Sequence, residues 1–210
     1  MTALRLLLPH EIGNRKLASV VPPPFRRTSP NRAPNEFYPT PPEATRALLS
    51  AESFDGSVWE PACGQGHISK VLIGAGHQVV STDLFNYGYG EAGRDFFAER
   101  RPLAKHIITN PPYGRGLADA FVKHALHLTK TTGGKVAMLL AIHSLCHPLR
   151  HELFTDKPPA AVYCLDQCDC WPEGNSAKAT RSLVAQRYCW VVWSASHTGA
   201  SLLKWLRTSR

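Results

Sequence analysis

The middle of the chain alternates short apolar runs with polar or glycine-rich stretches. Each run ends at polar or turn-forming residues, which is the pattern of a buried strand. A short apolar pair at residues 58–59 begins the first predicted strand. The other predicted strands lie at residues 78–83, 107–109, 135–142, 160–165 and 187–193.

Helical patterns fall between these runs. Residues 117–130 carry apolar side chains at helical spacing, and two threonines and two glycines follow them. Residues 68–73 and 148–154 are predicted as shorter helices. Strands that alternate with helices predict an α/β fold with a doubly wound, mostly parallel sheet.

The two ends of the chain differ from its middle. Residues 1–36 are rich in proline and arginine and show no sustained period, so we predict a flexible basic arm there. Residues 37–196 form the predicted domain, and residues 197–210 a short basic tail. A length of 210 residues with 43% hydrophobic content suits a single domain with a sizeable core.

The strand predicted at 107–109 ends at Asn110, Pro111, Pro112 and Tyr113. The prolines stiffen the backbone, the Asn side chain and the Pro carbonyl offer acceptor oxygens, and the Tyr offers an aromatic face. Such a turn can grip a planar amine, although an ordinary proline-rich turn is the plain alternative. The four residues are therefore a candidate catalytic motif.

A glycine-rich loop follows the first predicted strand. It contains Glu60, Pro61 and Ala62, and then Gly64 and Gly66 just before a predicted helix. Glycines let the backbone approach a ligand closely, and the start of a helix presents free N–H groups. The loop is therefore a candidate site for a nucleoside cofactor.

Asp83 ends the second predicted strand, about 20 residues after the glycine loop, at the spacing where an acid reaches ribose hydroxyls. Each of these features alone is also an ordinary turn. Together they place candidate ligand groups at the carboxyl ends of three strands, where open α/β sheets bind their ligands.

These motifs resemble the class I S-adenosylmethionine-dependent methyltransferases, which are Rossmann-like, and among them the DNA adenine N6-methyltransferases of small phages and prophages. Residues 60–66 resemble the cofactor loop of that family, and residues 110–113 resemble its catalytic motif. The resemblance runs from about residue 37 to residue 193.

The resemblance implies S-adenosyl-L-methionine as the cofactor. Tyr38, Thr40 and Pro41 are similar to the segment that closes over its methionine end, and Asp95 and Phe96 to the pair that contacts its adenine. The implied cofactor-binding residues are Tyr38, Thr40, Pro41, Glu60, Pro61, Ala62, Gly64, Gly66, Asp83, Asp95, Phe96 and Asn110.

The resemblance also implies a mechanism. The Asn110 side-chain oxygen and the Pro111 carbonyl would accept hydrogens from the adenine N6, and Tyr113 would stack on the extruded base. The long loop at residues 166–186 would lie beside the target base. Its candidate substrate contacts are Trp171, Lys178 and Arg181, and a disordered excursion is the alternative.

The chain carries a formal net charge of +8 and has a pI near 9.4, which suits a polyanionic partner. We expect nucleic acid, with double-stranded DNA favoured by the resemblance. An RNA base or protein-glutamine N-methyltransferase would use the same amide-gripping turn. A non-catalytic nucleic-acid-binding module on this scaffold is a further alternative.

The six cysteines include Cys164, Cys168 and Cys170, which lie close together in the sequence but form no paired Cys-x-x-Cys framework. We therefore expect free thiols and no metal, with a zinc-stabilised interaction protein as the third alternative. No apolar run approaches the roughly 18 residues of a membrane span, and none forms a signal-peptide core. A cytoplasmic protein is expected.

Overall fold

The computed structural model describes residues 33–179 and 185–208. Residues 1–32 of the predicted basic arm lie outside the described residues, and so does Arg181.

The described residues contain eight strands and four α-helices, besides short 3-10 turns. The strands are β1 (Val58–Glu60), β2 (Val79–Asp83), β3 (Glu91–Ala92), β4 (His106–Thr109), β5 (Lys135–Ala141), β6 (Ala161–Leu165), β7 (Tyr188–Ser194) and β8 (Leu202–Leu206). The helices are α1 (Pro42–Ala51), α2 (His67–Gly74), α3 (Leu117–Thr129) and α4 (His151–Asp156).

All eight strands form one sheet in the order β3-β2-β1-β4-β5-β7-β6-β8. The pairs from β3 through β5 are parallel, and β7 runs antiparallel to both of its neighbours, β5 and β6. The order reverses at β1, because the chain moves outward to β2 and β3 and then returns to β4 on the other side. The predicted doubly wound, mostly parallel sheet is confirmed.

Helices cover both faces of the sheet. On one face, Leu48 of α1 and Leu72 of α2 pack with Leu139 of β5. On the other face, Phe121 of α3 packs with Met138 of the same strand. Successive side chains of a strand point to opposite faces, so a strand covered on both sides must be apolar throughout. This explains the unbroken apolar runs of the central strands.

The last strand corrects the sequence prediction. Residues 197–210 were assigned to a basic tail, but Leu202–Leu206 form β8, which pairs in parallel with β6. The assignment failed because β8 is a five-residue edge strand with a weak pattern, in which only Leu206 is buried and Trp205 remains 73% exposed. The two-residue β3, at the opposite edge, was also not predicted.

Core packing makes a first prediction. Leu139 is fully buried, so Leu139→Ala should lower the free energy of unfolding by about 2–5 kcal/mol through lost burial and the cavity that remains. Leu202, which is 53% exposed, is the matched control, and Leu202→Ala should change stability by less than about 0.5 kcal/mol. Denaturant titration measures both variants, and equal losses would contradict the described burial.

Candidate active site

A cavity of about 380 Å³ opens at the carboxyl ends of β1, β2 and β4. It lies at the point where the strand order reverses, which is the usual ligand position in open α/β sheets. Its lining residues belong to the segments 35–40, 60–68, 83–87, 94–97, 110–112 and 117–121.

The glycine loop forms one wall of this cavity. Gly64 has φ of 52° and Gly66 has φ of 77°, in the left-handed region that favours glycine. A Cβ atom at Gly64 would lie 2.5 Å from the ring of Phe37, and one at Gly66 would lie 2.3 Å from the ring of Tyr89. Both glycines are therefore required by backbone conformation and by the aromatic rings that pack against the loop.

Glu60 anchors the helix behind the loop. Its Oε2 accepts a hydrogen bond from the backbone N–H of Ser69 at 2.8 Å and another from the Ser69 hydroxyl. The Ser69 hydroxyl in turn lies 2.6 Å from that of Ser81 on β2. Burial raises the pKa of the Glu60 carboxyl from 4.5 to about 8. Glu60 lines the cavity, and its described hydrogen bonds hold α2 against β1 and β2.

Asp83 fixes the loop itself. Its Oδ2 accepts from the Gly64 N–H at 2.8 Å, and its Oδ1 accepts from the Phe85 N–H at 2.8 Å. Burial raises the pKa of this carboxyl. A carboxylate oxygen can accept more than one hydrogen bond, so both oxygens keep acceptor capacity toward the cavity that Asp83 lines.

Asp95 and Phe96, the pair predicted to contact the adenine of the cofactor, also line the cavity. Asp95 accepts from the Phe97 N–H at 2.9 Å and so caps a short 3-10 turn. Phe96 is buried edge-to-face against Trp59, with ring centroids 5.1 Å apart, and lies 4.7 Å from the ring of Phe121. The two residues form an apolar wall with a carboxylate beside it.

Asn110 joins the candidate catalytic turn, residues 110–113, to a distant segment. Its Nδ2 donates to the Tyr38 carbonyl at 3.0 Å and to the Thr40 hydroxyl at 3.1 Å. Its Oδ1 accepts from the Tyr113 hydroxyl at 2.5 Å. Tyr38, Thr40, Asn110 and Pro112 all line the cavity, whereas Pro41 serves as the N-terminal cap residue of α1.

Tyr113 turns its hydroxyl inward. The hydroxyl lies 2.9 Å from the Leu139 carbonyl and 2.5 Å from Asn110 Oδ1. Burial raises the pKa of this hydroxyl. The ring packs against the core and is 6.2 Å from that of Tyr188. Stacking of Tyr113 on a base stays a prediction, and the structure adds a hydrogen-bonding role that the sequence did not suggest.

Trp171 and Lys178, the predicted substrate contacts of the loop that fall within the described residues, lie outside the cavity lining. Trp171 is half-buried, and the Lys178 ammonium pairs with the carboxylate of Glu173. The backbone N–H of Glu173 donates to the Phe37 carbonyl at 3.0 Å, so this loop is tied to the segment before α1. The loop thus borders the site without placing Trp171 or Lys178 in it.

Phe85 and Tyr87, which the sequence analysis missed, extend the aromatic cover that Phe37 forms beside the glycine loop. The rings of Phe37 and Tyr87 stack with centroids 4.4 Å apart, and Phe85 lies edge-on to Tyr87. All three line the cavity. The alternating aromatics Phe85, Tyr87 and Tyr89, directly after Asp83, were the signal that could have identified this cover.

The cysteines and histidines form no metal centre in the part of the chain described. Within residues 33–179 and 185–208, no group of three or more His, Cys, Asp or Glu side chains is placed to hold an ion. All six cysteines are free, and the sulfurs of Cys168 and Cys170 lie 3.7 Å apart. No helix of these residues is long and apolar enough to cross a membrane.

Solved structures share this fold. The methyltransferase subunit of a type I restriction-modification system from Streptococcus thermophilus matches 80% of this chain with a TM-score of 0.54 and 15% identity. A modification subunit assigned to a type I restriction enzyme of Vibrio vulnificus matches 79% with a TM-score of 0.51 and 13% identity. This chain covers 47% and 45% of the two subunits, less than half of their lengths. The chain therefore has the Rossmann-like fold of these subunits.

A third structure is the glycopeptide N-methyltransferase MtfA in complex with S-adenosyl-L-methionine. The match covers 48% of this chain and 50% of the MtfA chain. Its TM-score is 0.38 at 16% identity, which is too low to carry an argument. No protein-family model matches the sequence, and a comparison with curated proteins gives no significant match.

The buried carboxyl of Glu60 predicts a pH effect. Its pKa is higher in the folded protein than in the unfolded chain, so the folded state binds more protons and its stability falls as pH rises between 4.5 and about 8. Glu60→Gln keeps an acceptor for Ser69 and removes this titration. The difference in unfolding free energy, wild type minus variant, should therefore fall across that range, by at most about 1.4 kcal/mol per pH unit.

Denaturant titrations at several pH values measure this difference, and Glu152→Gln is the control because Glu152 is an exposed carboxylate on α4. A difference that stays flat for Glu60→Gln would show that the Glu60 carboxyl titrates as it does in the unfolded chain.

Proposed function

We propose that the protein is an S-adenosylmethionine-dependent N-methyltransferase that acts on the exocyclic N6 of adenine in DNA. One observation carries the proposal. The acceptor-bearing turn at Asn110 opens into the same cavity as the glycine loop and the acid Asp83. Acceptors suited to an amine and a loop suited to a nucleoside cofactor therefore face one common space, which supports the proposal.

The residues present fit the cofactor. Asp83 keeps acceptor capacity for two ribose hydroxyls, Phe96 offers an apolar wall for a purine, and Asp95 offers an acceptor beside that wall. The segment from Tyr38 to Thr40 closes the cavity toward Asn110. When it is bound, S-adenosylmethionine supplies a methyl group activated by its positively charged sulfur.

The turn at Asn110 would prepare the nucleophile. The adenine N6 is weakly nucleophilic, because its lone pair is delocalised into the ring. The Asn110 side-chain oxygen and the Pro111 carbonyl would each accept one N6 hydrogen and hold the amine as it loses planarity. Fixed acceptors aimed at a group that changes charge in the transition state are an efficient form of catalysis. The prolines at 111 and 112 keep these acceptors in place.

The nucleic acid part of the proposal is supported by the net charge of +8 and by the likeness in fold to two restriction-modification subunits. A base in a duplex must leave the stack to reach such a cavity. A cytoplasmic location belongs to the same proposal, because six free thiols suit a reducing compartment.

The direct experiment measures transfer of labelled methyl from S-adenosylmethionine to unmethylated duplex DNA, with RNA in parallel and nucleoside analysis of the product. N6-methyladenine in the DNA is the expected result. Label found only in the RNA would replace DNA by RNA as the substrate. Cofactor binding without transfer to either would favour a binding module on this scaffold.

Asn110→Ala should lower turnover by about 10²- to 10³-fold and change cofactor affinity far less, because it removes an acceptor that matters most in the transition state. Calorimetry measures cofactor affinity, and the labelled-methyl assay measures turnover. Normal turnover in this variant would refute the catalytic assignment of Asn110.

Asp83→Asn should instead weaken cofactor binding. The change removes the charge and one acceptor from the ribose site, and the loss of a charge-assisted hydrogen bond corresponds to about 10- to 100-fold in affinity. Asp156→Asn, at an exposed carboxylate on α4, is the control. If the two variants bind cofactor equally well by calorimetry, Asp83 has no ribose role.

A further inference from the structure

The orientation of the Asn110 side-chain amide is fixed by its neighbours. The amide has an acceptor end and a donor end of similar shape, so an unconstrained side chain could present either end to a ligand. The Tyr38 carbonyl, 3.0 Å from Nδ2, can only accept hydrogen bonds. Turning the amide over would set its oxygen against that carbonyl, so only one orientation is stable.

The Thr40 hydroxyl takes the second Nδ2 hydrogen, at 3.1 Å. With both donors committed to one side, Oδ1 must face the other side. Thr40 is 3% exposed, so water does not readily replace its hydroxyl as the partner of Asn110. The Tyr38 carbonyl and the Thr40 hydroxyl together hold the Asn110 amide at two points, and we call this pair the clamp.

The backbone around Thr40 makes this clamp rigid. Thr40 lies between Pro39 and Pro41, and Pro42 begins α1. Each proline fixes its own φ, and a residue that precedes proline is confined to extended conformations. Thr40 therefore holds its hydroxyl on a stiff segment that is joined directly to a helix.

The opposite side of the amide shows how Oδ1 becomes available. The Tyr113 hydroxyl carries one hydrogen and has two acceptors in reach, Asn110 Oδ1 at 2.5 Å and the Leu139 carbonyl at 2.9 Å. It can donate that hydrogen fully to only one of them. Oδ1 itself has two lone pairs, so it keeps one acceptor site for a ligand while Tyr113 donates to the other.

We propose that Thr40 is a positioning residue, whose hydroxyl fixes the amide of Asn110 so that its acceptor oxygen faces the substrate amine. The proposal rests on the proposed methyl transfer. It differs from the role that the family resemblance implied for Thr40, which was contact with the cofactor. The two roles predict different kinetics, since positioning affects turnover and contact affects cofactor binding.

Thr40→Val and Thr40→Ser separate the two roles. Val keeps the shape of Thr and lacks the hydroxyl, so turnover should fall about 10-fold, the equivalent of one hydrogen bond, while the cofactor dissociation constant changes less than about twofold. Ser restores the hydroxyl and should return turnover to within about threefold of wild type. Denaturant titration should show that both variants remain folded.

Two kinetic outcomes would overturn the proposal. A Val variant that loses cofactor affinity and keeps its turnover would make Thr40 a cofactor contact. Equal losses of turnover in the Val and Ser variants would show that the hydroxyl alone does not restore activity, so the hydroxyl would not be the group that positions Asn110.

A measurement that needs no turnover tests the clamp itself. In ¹⁵N-labelled protein, the side-chain amide signal of Asn110 is assigned by its loss in Asn110→Asp, and its two hydrogens should exchange slowly with solvent. Thr40→Val should speed this exchange at least about fivefold, and Thr40→Ser should not. Unchanged exchange in the Val variant refutes the clamp. If wild type transfers no methyl group while the exchange pattern holds, the proposed function fails and the clamp stands.

Discussion

Parallel pairing of β1 with β2 on one side and with β4 on the other is the constraint on which the site depends. Parallel strands end at the same edge of a sheet, so this pairing places Glu60, Asp83 and Asn110 around one cavity. Helices on both faces bury the strands, and the cavity opens at the edge where these strands end. A fault in the pairing would separate all three groups at once.

The two acids at this edge serve the architecture as well as the proposed chemistry. Glu60 takes hydrogen bonds from the N–H and hydroxyl of Ser69, and Asp83 takes them from the N–H groups of Gly64 and Phe85. Buried carboxylates without partners would be costly, and these bonds offset part of that cost. The same bonds set the shape of the glycine loop before any ligand arrives.

The candidate catalytic turn depends on a segment far away in the sequence. Asn110 is held by Tyr38 and Thr40, which lie 72 and 70 residues earlier, and the loop containing Glu173 is bonded to Phe37 just before them. The segment before α1 therefore contacts the catalytic turn on one side and the predicted substrate loop on the other. Its stiffness, which the prolines provide, affects both of them.

The sequence by itself determined the central strands and the helices α2, α3 and α4, because elements buried on both faces need unbroken apolar runs and covering helices need one apolar stripe. It did not predict α1. It also singled out Asp83, Asn110 and the glycines at 64 and 66 as candidate ligand groups, because strand ends and helix starts carry local signals. The two glycines have left-handed φ in the structure. Only the tertiary structure decided that β8 joins the sheet, since a short edge strand buries little. It alone decided that Thr40 bonds Asn110 and that Tyr113 turns inward, because hydrogen bonds between residues distant in the chain leave no periodic trace in the sequence.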